Sequence, residues 1–326
     1  MKIIFWGTPQ YSVNSLENLI SSSHEVSAVI TQPDKKRKRG SRLVPSPIKE
    51  IAISNNIPVF NPEKVKDNKS FITLLKGFEA DIFIVVAYGK ILSEEVLNIP
   101  KFGSWNAHAS LLPRWRGAAP IQWALLSGDK YTGVGIMKME KGLDTGDILL
   151  ENKIKINPKD NLETLTCKLS LLSADLLLKA LDLIRNKPEN LKIVPQQELD
   201  REVKYARMIS KKDYALDLNE TALNIERNVK GFYPRSFIIY KNKNLKILKL
   251  RILNDEEKDN YIEVNISKYK NKPGMIIGIK KDEGIIISTK TLPIIILEIK
   301  LEGKNLASNI QIIQQLSPIV GNMLLM

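Results

Sequence analysis

The sequence predicts an α/β domain built on a parallel, Rossmann-like sheet, followed by a smaller all-β domain. Three observations predict it. Through residues 1–189, short apolar runs alternate with helical patterns, the signature of strands joined by crossover helices. One run, Asp81-Ile82-Phe83-Ile84-Val85-Val86-Ala87, is apolar almost without interruption, as in a strand covered on both faces. Beyond a turn-rich break at Asn186-Lys187-Pro188-Glu189-Asn190, the crossovers stop and about five strand-like runs follow.

The elements follow in chain order. Residues 2–6 read as a short buried strand. Thr8 reads as a helix N-cap with Pro9 at the first helical position, and Val13, Leu16, Leu19 and Ile20 form the apolar face of that helix. A second strand is expected over residues 26–31. Ser46 and Pro47 repeat the cap-and-proline start, and the 81–87 run forms a central strand. Ligands of such sheets sit beyond the carboxyl ends of the strands, where the turn Val86, Ala87, Tyr88, Gly89 and the segment around Asn106 are both expected. No Gly-x-Gly-x-x-Gly is present, so no dinucleotide is inferred.

Residues 133–156 alternate as strands do. Asp160 with Glu163 resembles a capping box, and Leu165, Leu169, Leu172, Leu176, Ala180 and Leu183 mark a long amphipathic helix. The expected organisation is a first domain over 1–189, a linker over 190–208 and a second domain over 209–326. In the second domain a helix around 221–230 precedes strands near 236–240, 245–253, 274–279, 284–289 and 292–300, which suggests a small β-barrel.

Length, charge and cysteine content bound the class. A chain of 326 residues is long enough for two cores. It is 43% hydrophobic, and no apolar run approaches the ~18 residues of a membrane span. The apolar start is too short for a signal peptide. Cys167 is the only cysteine, so no intrachain disulfide is possible; it is expected in the core, and a reducing cytoplasm fits. His24, in a polar turn, is expected at the surface. No residues have metal-ligand spacing, so no metal is expected. A monomer is expected. The net charge of +13 suits a polyanionic partner; a lysine-rich, solvated surface would give the same number.

The chemistry-bearing stretch is Asn106-Ala107-His108-Ala109-Ser110-Leu111-Leu112-Pro113. If it is extended, Asn106, His108 and Ser110 share one face, because side chains two apart point the same way. An imidazole beside an amide suits proton transfer next to a developing oxyanion. Gly142-Leu143-Asp144-Thr145-Gly146-Asp147 adds a carboxylate in a glycine-bracketed turn, able to orient the imidazole or help move its proton. Spacing alone allows equally a turn cap at Asn106, an interior histidine at 108 and a loop start at Asp144.

The string SLLPRWRGAAPIQW, with NAH before it and GLDTGD after it, closely resembles the methionyl-tRNA formyltransferase family. So do FWGTP at 5–9, TQPD at 31–34, PSPIK at 45–49 and VVAYGKIL at 85–92. The resemblance is dense over 1–150 and thinner to the C-terminus. It implies transfer of a formyl group from 10-formyltetrahydrofolate to the α-amine of methionine on initiator tRNA, and an oligonucleotide-binding type of barrel at the C-terminus. Asn106 would then donate to the oxygen that gains negative charge, a contribution of ~3 to 4 kcal/mol for a pre-aimed donor. His108, as an imidazole of ordinary pKa ~6.5, would accept the amine proton or, once protonated, stabilise the oxyanion, and Asp144 would hold the imidazole in one tautomer and assist proton shuttling. Ser110, Leu111, Leu112 and Pro113 match the family's folate-binding segment, and Val86, Ala87, Tyr88 and Gly89 would shape the pterin pocket. Arg114, Arg116 and Gly117 could meet the folate tail or the tRNA acceptor end, or face solvent. Enzymes that formylate glycinamide ribonucleotide or sugar nucleotides resemble the Asn-His-Asp part as well; the first usually lacks the C-terminal barrel, and the second lacks the TQPD, basic loop and PSPIK sequence.

Between TQPD and PSPIK, Lys35-Lys36-Arg37-Lys38-Arg39-Gly40-Ser41-Arg42 packs six cations into eight residues. Such a run is a solvated loop or a phosphate contact stabilised by counterion release. The resemblance favours the second, since the family reads tRNA with a loop at this position and has an arginine-glycine pair matching Arg39-Gly40. Lys35, Lys36, Arg37, Lys38, Arg39 and Arg42 are the expected tRNA contacts, with Arg39 the most specific.

Overall fold

The structure is a computed structural model that describes residues 1–36, 43–186, 188–253 and 272–324. It divides into two compact units. The first comprises Met1–Pro120, Lys130–Asn157 and Thr164–Met208; the second comprises Ile121–Asp129, Pro158–Glu163 and Ile209–Met326.

Elements of the first unit run β1 (Lys2–Gly7), α1 (Val13–Ile20), β2 (Glu25–Ile30), β3 (Lys35–Lys36), β4 (Leu43–Val44), α2 (Pro47–Ser54), β5 (Val59–Phe60), α3 (Lys69–Gly77), β6 (Ile82–Val86), α4 (Glu94–Leu97), β7 (Ser104–His108) and β8 (Arg116–Gly117). Next come α5 (Pro120–Ser127), which groups with the second unit from Ile121 on, then β9 (Tyr131–Lys138), β10 (Ile148–Lys155), α6 (Leu162–Asn186) and β11 (Tyr205–Ala206). The main sheet has the order β10-β9-β7-β6-β1-β2-β5. Its five strands from β7 to β5 are parallel, as expected, and β9 and β10 extend it antiparallel.

Both faces of the sheet are covered. Ile4, Trp6, Ala28, Ile30, Phe83 and Val85 pack with Phe71, Ile72 and Leu75 of α3 and Val96 and Leu97 of α4. The intervening Ile3, Phe5, Val29, Ile82 and Ile84 are also buried, and the pleat turns them to the opposite face. This is why the 82–86 run has no polar alternation. Trp6 stands edge-on to Phe71 and Tyr88, with ring centroids 6.2 and 5.2 Å away.

Local signals mostly hold. The Ser46 hydroxyl accepts from the Lys49 N–H at 3.1 Å and Pro47 opens α2, the expected cap. Thr8 does not cap α1: its hydroxyl donates to the Tyr88 carbonyl at 3.1 Å, and the chain makes a 3-10 turn at Gln10–Ser12 before the helix starts. In α6, Leu165, Leu169, Leu176 and Ala180 are buried. Cys167 is exposed, contrary to expectation, because two residues turn a helix by ~200° and place it opposite the Leu165 and Leu169 stripe. His24 is also corrected. It is buried, with Nδ1 3.4 Å from the N-terminal amine of Met1, and its pKa is lowered by burial and then by that ammonium.

The second unit carries α7 (Ala222–Gly231), β12 (Phe237–Tyr240), β13 (Lys243–Ile252), β14 (Ile276–Lys280), β15 (Gly284–Ile287), β16 (Ile294–Leu301), β17 (Leu306–Ser308) and α8 (Ile310–Leu316). The strands pair antiparallel in the order β12-β13-β16-β15-β14, with β17 branching from β16. Among the described residues it is therefore an antiparallel sheet; residues 254–271, between β13 and β14, lie outside them. Leu245, Ile247, Ile285, Ile287, Ile294, Ile296 and Ile299 form its core with Ile225 and Val229 of α7 and Ile312 and Leu316 of α8. Each such burial stabilises by ~1.5 to 3 kcal/mol. Among the described residues, no helix is long and apolar enough to cross a membrane, and no three His, Cys, Asp or Glu residues are grouped to hold a metal ion.

Candidate active site

Chain order places the site. From β1 the chain builds outward through β2 and β5, then returns to lay β6 and β7 on the other side of β1. Strand order therefore reverses at β1, and a crevice opens beyond the carboxyl ends of β1, β6 and β7. Thr8, the 86–89 turn and the end of β7 lie there. On β7, Asn106 pairs with Met137 and His108 with Gly135 of β9, so the two share a face as the i, i+2 spacing requires. The strand ends at His108. Ser110 falls in the bend beyond it, fully buried, and its hydroxyl donates to the Arg114 carbonyl at 2.7 Å. Ser110 is thus not a third member of that strand face.

His108 is buried, and Nε2 lies 3.0 Å from the Trp115 carbonyl oxygen. A carbonyl only accepts, so Nε2 carries the proton and Nδ1 of the neutral ring presents a lone pair. Nδ1 faces Asp144 Oδ2 at 3.7 Å, too far for a hydrogen bond. The Asp144 carboxylate instead accepts the Gly117 N–H at 2.7 Å. Trp115, not Asp144, sets the tautomer expected from the sequence to depend on the carboxylate. The two side chains are only 7% and 15% exposed, so a proton arriving on Nδ1 would meet a carboxylate little screened by water. Asn106 is half-buried, and among the described residues its amide makes no hydrogen bond.

Two backbone features hold this geometry. Asp144 adopts a positive φ of 53°. Gly117 has φ 120°, and a Cβ there would come within 2.7 Å of the Ala206 carbonyl, so only glycine lets β8 run beside β11 and still aim its N–H at Asp144. Sequence reasoning left Arg116 and Gly117 among three possibilities and missed Gln196 altogether. The segment read as a linker brings Gln196 in, buried, with its amide nitrogen donating to the Asp144 and Gly146 carbonyls at 2.9 and 2.7 Å. Its amide oxygen accepts from Arg116 Nε and Nη2 at 3.0 and 2.7 Å. Nothing in the local sequence marks Gln196, since its partners are 80, 52 and 50 residues away.

The turn after β6 is fastened from three sides. The Val86 carbonyl accepts from Ser12 Oγ at 2.6 Å, and the Tyr88 carbonyl from Thr8 Oγ1 and from Gln32 Nε2 at 2.8 Å. Ala87 and Gly89 have positive φ and are exposed, while Tyr88 is buried. Its phenol has no hydrogen-bond partner among the described residues, and burial pushes its pKa up to about 12. Leu111 is half-buried; Leu112 and Pro113 are buried, and Leu112 packs with Met137 and Ile148. Arg201 donates to the Leu112 carbonyl at 3.0 Å and forks onto the Glu151 carboxylate. Lys35 and Lys36 form β3, paired with Val44 and Leu43 of β4. Arg37, Lys38, Arg39 and Arg42 lie outside the described residues.

Residues 1–181 match the formyl transferase family, and residues 208–316 match the formyl transferase C-terminal domain. The chain is 57% identical to a methionyl-tRNA formyltransferase of Prochlorococcus marinus strain MIT 9312, covering 99% of each. It is 41% identical to that of strain MIT 9313, covering 98% of this chain and 97% of that one. Among solved structures it is similar to WlaRD, a sugar 3N-formyl transferase in the presence of dTDP and 5-N-formyl-THF, at a TM-score of 0.62 and 20% identity, covering 94% of this chain and 99% of that one. It is also similar to HypX from Aquifex aeolicus, at a TM-score of 0.62 and 16% identity, covering 97% of this chain and 47% of that one. At such identities the likeness is one of fold.

Proposed function

The chain belongs to the methionyl-tRNA formyltransferase family, and from that premise we propose that Asn106, His108 and Asp144 carry the transfer of a formyl group from 10-formyltetrahydrofolate to the α-amine of methionine on initiator tRNA. The activity is formylation of initiator methionyl-tRNA for translation initiation. What supports the assignment to these residues is the lone pair of His108 Nδ1, left free by the Trp115 carbonyl and facing the Asp144 carboxylate.

In the reaction the amine nitrogen bonds to the formyl carbon, the bond from that carbon to the folate nitrogen breaks, and the amine proton is passed on. Folate supplies the activated formyl group. The site residues fit it: the Asn106 amide, without a hydrogen-bond partner among the described residues, can donate to a carbonyl, and the Nδ1 lone pair of neutral His108 can serve an amine as a base. Asn106 donates its N–H to the formyl oxygen as that oxygen gains charge. His108 Nδ1 takes the amine proton, and the Asp144 carboxylate stabilises the imidazolium so formed. The same proton is then available to the departing nitrogen. The rigid turn of Val86, Ala87, Tyr88 and Gly89, with Ser110, Leu111, Leu112 and Pro113, forms the folate pocket. Lys35, Lys36, Arg37, Lys38, Arg39 and Arg42 contact the tRNA backbone, where charge is what is read. All catalytic groups come from one chain, so a monomer suffices, acting in the cytoplasm where charged tRNA is used. No metal is required by this chemistry.

The test compares acceptors with one formyl donor. Charged initiator tRNA is formylated, and glycinamide ribonucleotide and amino-sugar nucleotides are not. Preference for either small amine over the charged tRNA would assign a different acceptor to the same scaffold.

A further inference from the structure

The turn that sets the Asp144 carboxylate opposite His108 holds Asp144 in a left-handed conformation, φ 53°. A non-glycine residue there is strained and persists only when its surroundings over-determine it. The carbonyls on either side of Thr145 both end on one side chain, Gln196, through 2.9 Å and 2.7 Å bonds from its amide nitrogen. The amide cannot be reversed. Carbonyls only accept and a guanidinium only donates, so the nitrogen must face the turn and the oxygen must face Arg116. Arg116 and the two carbonyls thus fix the direction of the Gln196 amide from its two ends. Its own peptide is the neighbour of Gly117, whose N–H is the carboxylate's donor. The path closes on Asp144 from two sides: Gln196 on its backbone and Gly117 on its side chain.

We infer that Gln196 is a positioning residue for formyl transfer, holding the Asp144 turn so that the carboxylate stands against His108 Nδ1, with Arg116 holding the other end of its amide. The inference rests on the reading of Asp144 as the charge partner of His108. Gln196 is buried and its hydrogen bonds all go to protein groups, so it acts on kcat through Asp144 and leaves both KM values in place.

The experiment is a double-mutant cycle between Gln196→Met and Asp144→Asn. Methionine keeps the length of the side chain and removes both sets of hydrogen bonds. Gln196→Met lowers kcat by about tenfold in the otherwise unchanged protein, and by less than about twofold when Asp144 is already asparagine, because residues acting through one another are not additive. The KM values for folate donor and charged tRNA change by less than about twofold. Gln197→Ala, an exposed neighbour on the same segment, changes neither. Should Gln196→Met fail to fold, Gln196→Glu carries the same test: it keeps the acceptor for Arg116 and turns a carboxylate oxygen onto the two carbonyls. Equal losses in both Asp144 backgrounds, or an unchanged kcat, would overturn the role of Gln196. Near-normal turnover in Asp144→Asn alone would instead overturn the reading on which it rests.

Discussion

His108 Nε2 lies 3.0 Å from the carbonyl oxygen of Trp115, seven residues along the chain. In the neutral ring that bond places the proton on Nε2 and leaves the Nδ1 lone pair towards Asp144. In the familiar arrangement a carboxylate holds the Nδ1 proton and leaves Nε2 to react. Here a backbone carbonyl holds the Nε2 proton; under the proposed mechanism Nδ1 is the base, and Asp144 at 3.7 Å meets the charge that proton transfer creates. In that proposal the carboxylate contributes by electrostatics and not by tautomer choice.

Asn106→Ala, His108→Ala and Asp144→Ala each lower kcat by at least ~10²-fold, since each removes a group that acts more strongly on the transition state than on the ground state. Steady-state kinetics with both substrates saturating measures this, and circular dichroism tracks the fold. A variant with wild-type kcat removes its residue from the mechanism.

Gly117→Ala is strained at φ 120° and drives a methyl group into the Ala206 carbonyl. The strain alone costs ~1 to 3 kcal/mol, and displacing the N–H from Asp144 adds a loss in kcat of ~10-fold or more. Thermal unfolding and kcat are both read. A stable, fully active Gly117→Ala protein would show that Asp144 needs no donor from this strand.

The pH dependence of stability carries the signature of His24. Its folded pKa is lowered, by burial first, then by the Met1 ammonium and Arg185, against a smaller raising effect of Asp182. Below the unfolded value of ~6.5 the unfolded chain binds a proton that the folded one resists, so stability is full above that pH and falls as pH drops through the lowered folded value. Urea midpoints between about pH 7.5 and about pH 5.5 therefore fall less in His24→Asn than in the unchanged protein. Parallel curves would show that the imidazole is not held neutral by the fold.

Replacing Lys35, Lys36, Arg37, Lys38 and Arg39 by serine weakens tRNA binding and flattens its salt dependence by ~0.7 to 0.9 log units per lost phosphate contact, while folate affinity is unchanged. Restoring Arg39 alone recovers more activity than restoring Lys36 alone, because a guanidinium makes paired bonds that an ammonium cannot. Equal rescue would reduce the loop to an electrostatic tether, and an unchanged salt slope would remove it from the interface.

Much of the fold is legible in the sequence. The unbroken 82–86 run, the Ser46-Pro47 start and the i, i+2 placement of Asn106 and His108 are local signals, and local physics determines them. The misses are long-range. Thr8 has a helix cap's chemistry, but its hydroxyl goes to a carbonyl 80 residues away. Ser110 continues the alternation on paper, yet the strand stops at His108 and the bend turns the hydroxyl onto Arg114. His24 looks polar and loose until the N-terminus closes over it. Gln196 sits in a stretch without periodicity, and its importance exists only once Arg116 and the Asp144 turn have been brought to it.

His108 is proposed to move the amine proton during formyl transfer to initiator methionyl-tRNA. Single-turnover formylation of that tRNA by the unchanged protein and by His108→Ala, with 10-formyltetrahydrofolate in excess, measures the chemical step without product release. Transfer by the unchanged protein is expected, with a rate lower by ~10²- to 10⁴-fold in the variant, the range for loss of a general base. Equal single-turnover rates would contradict it.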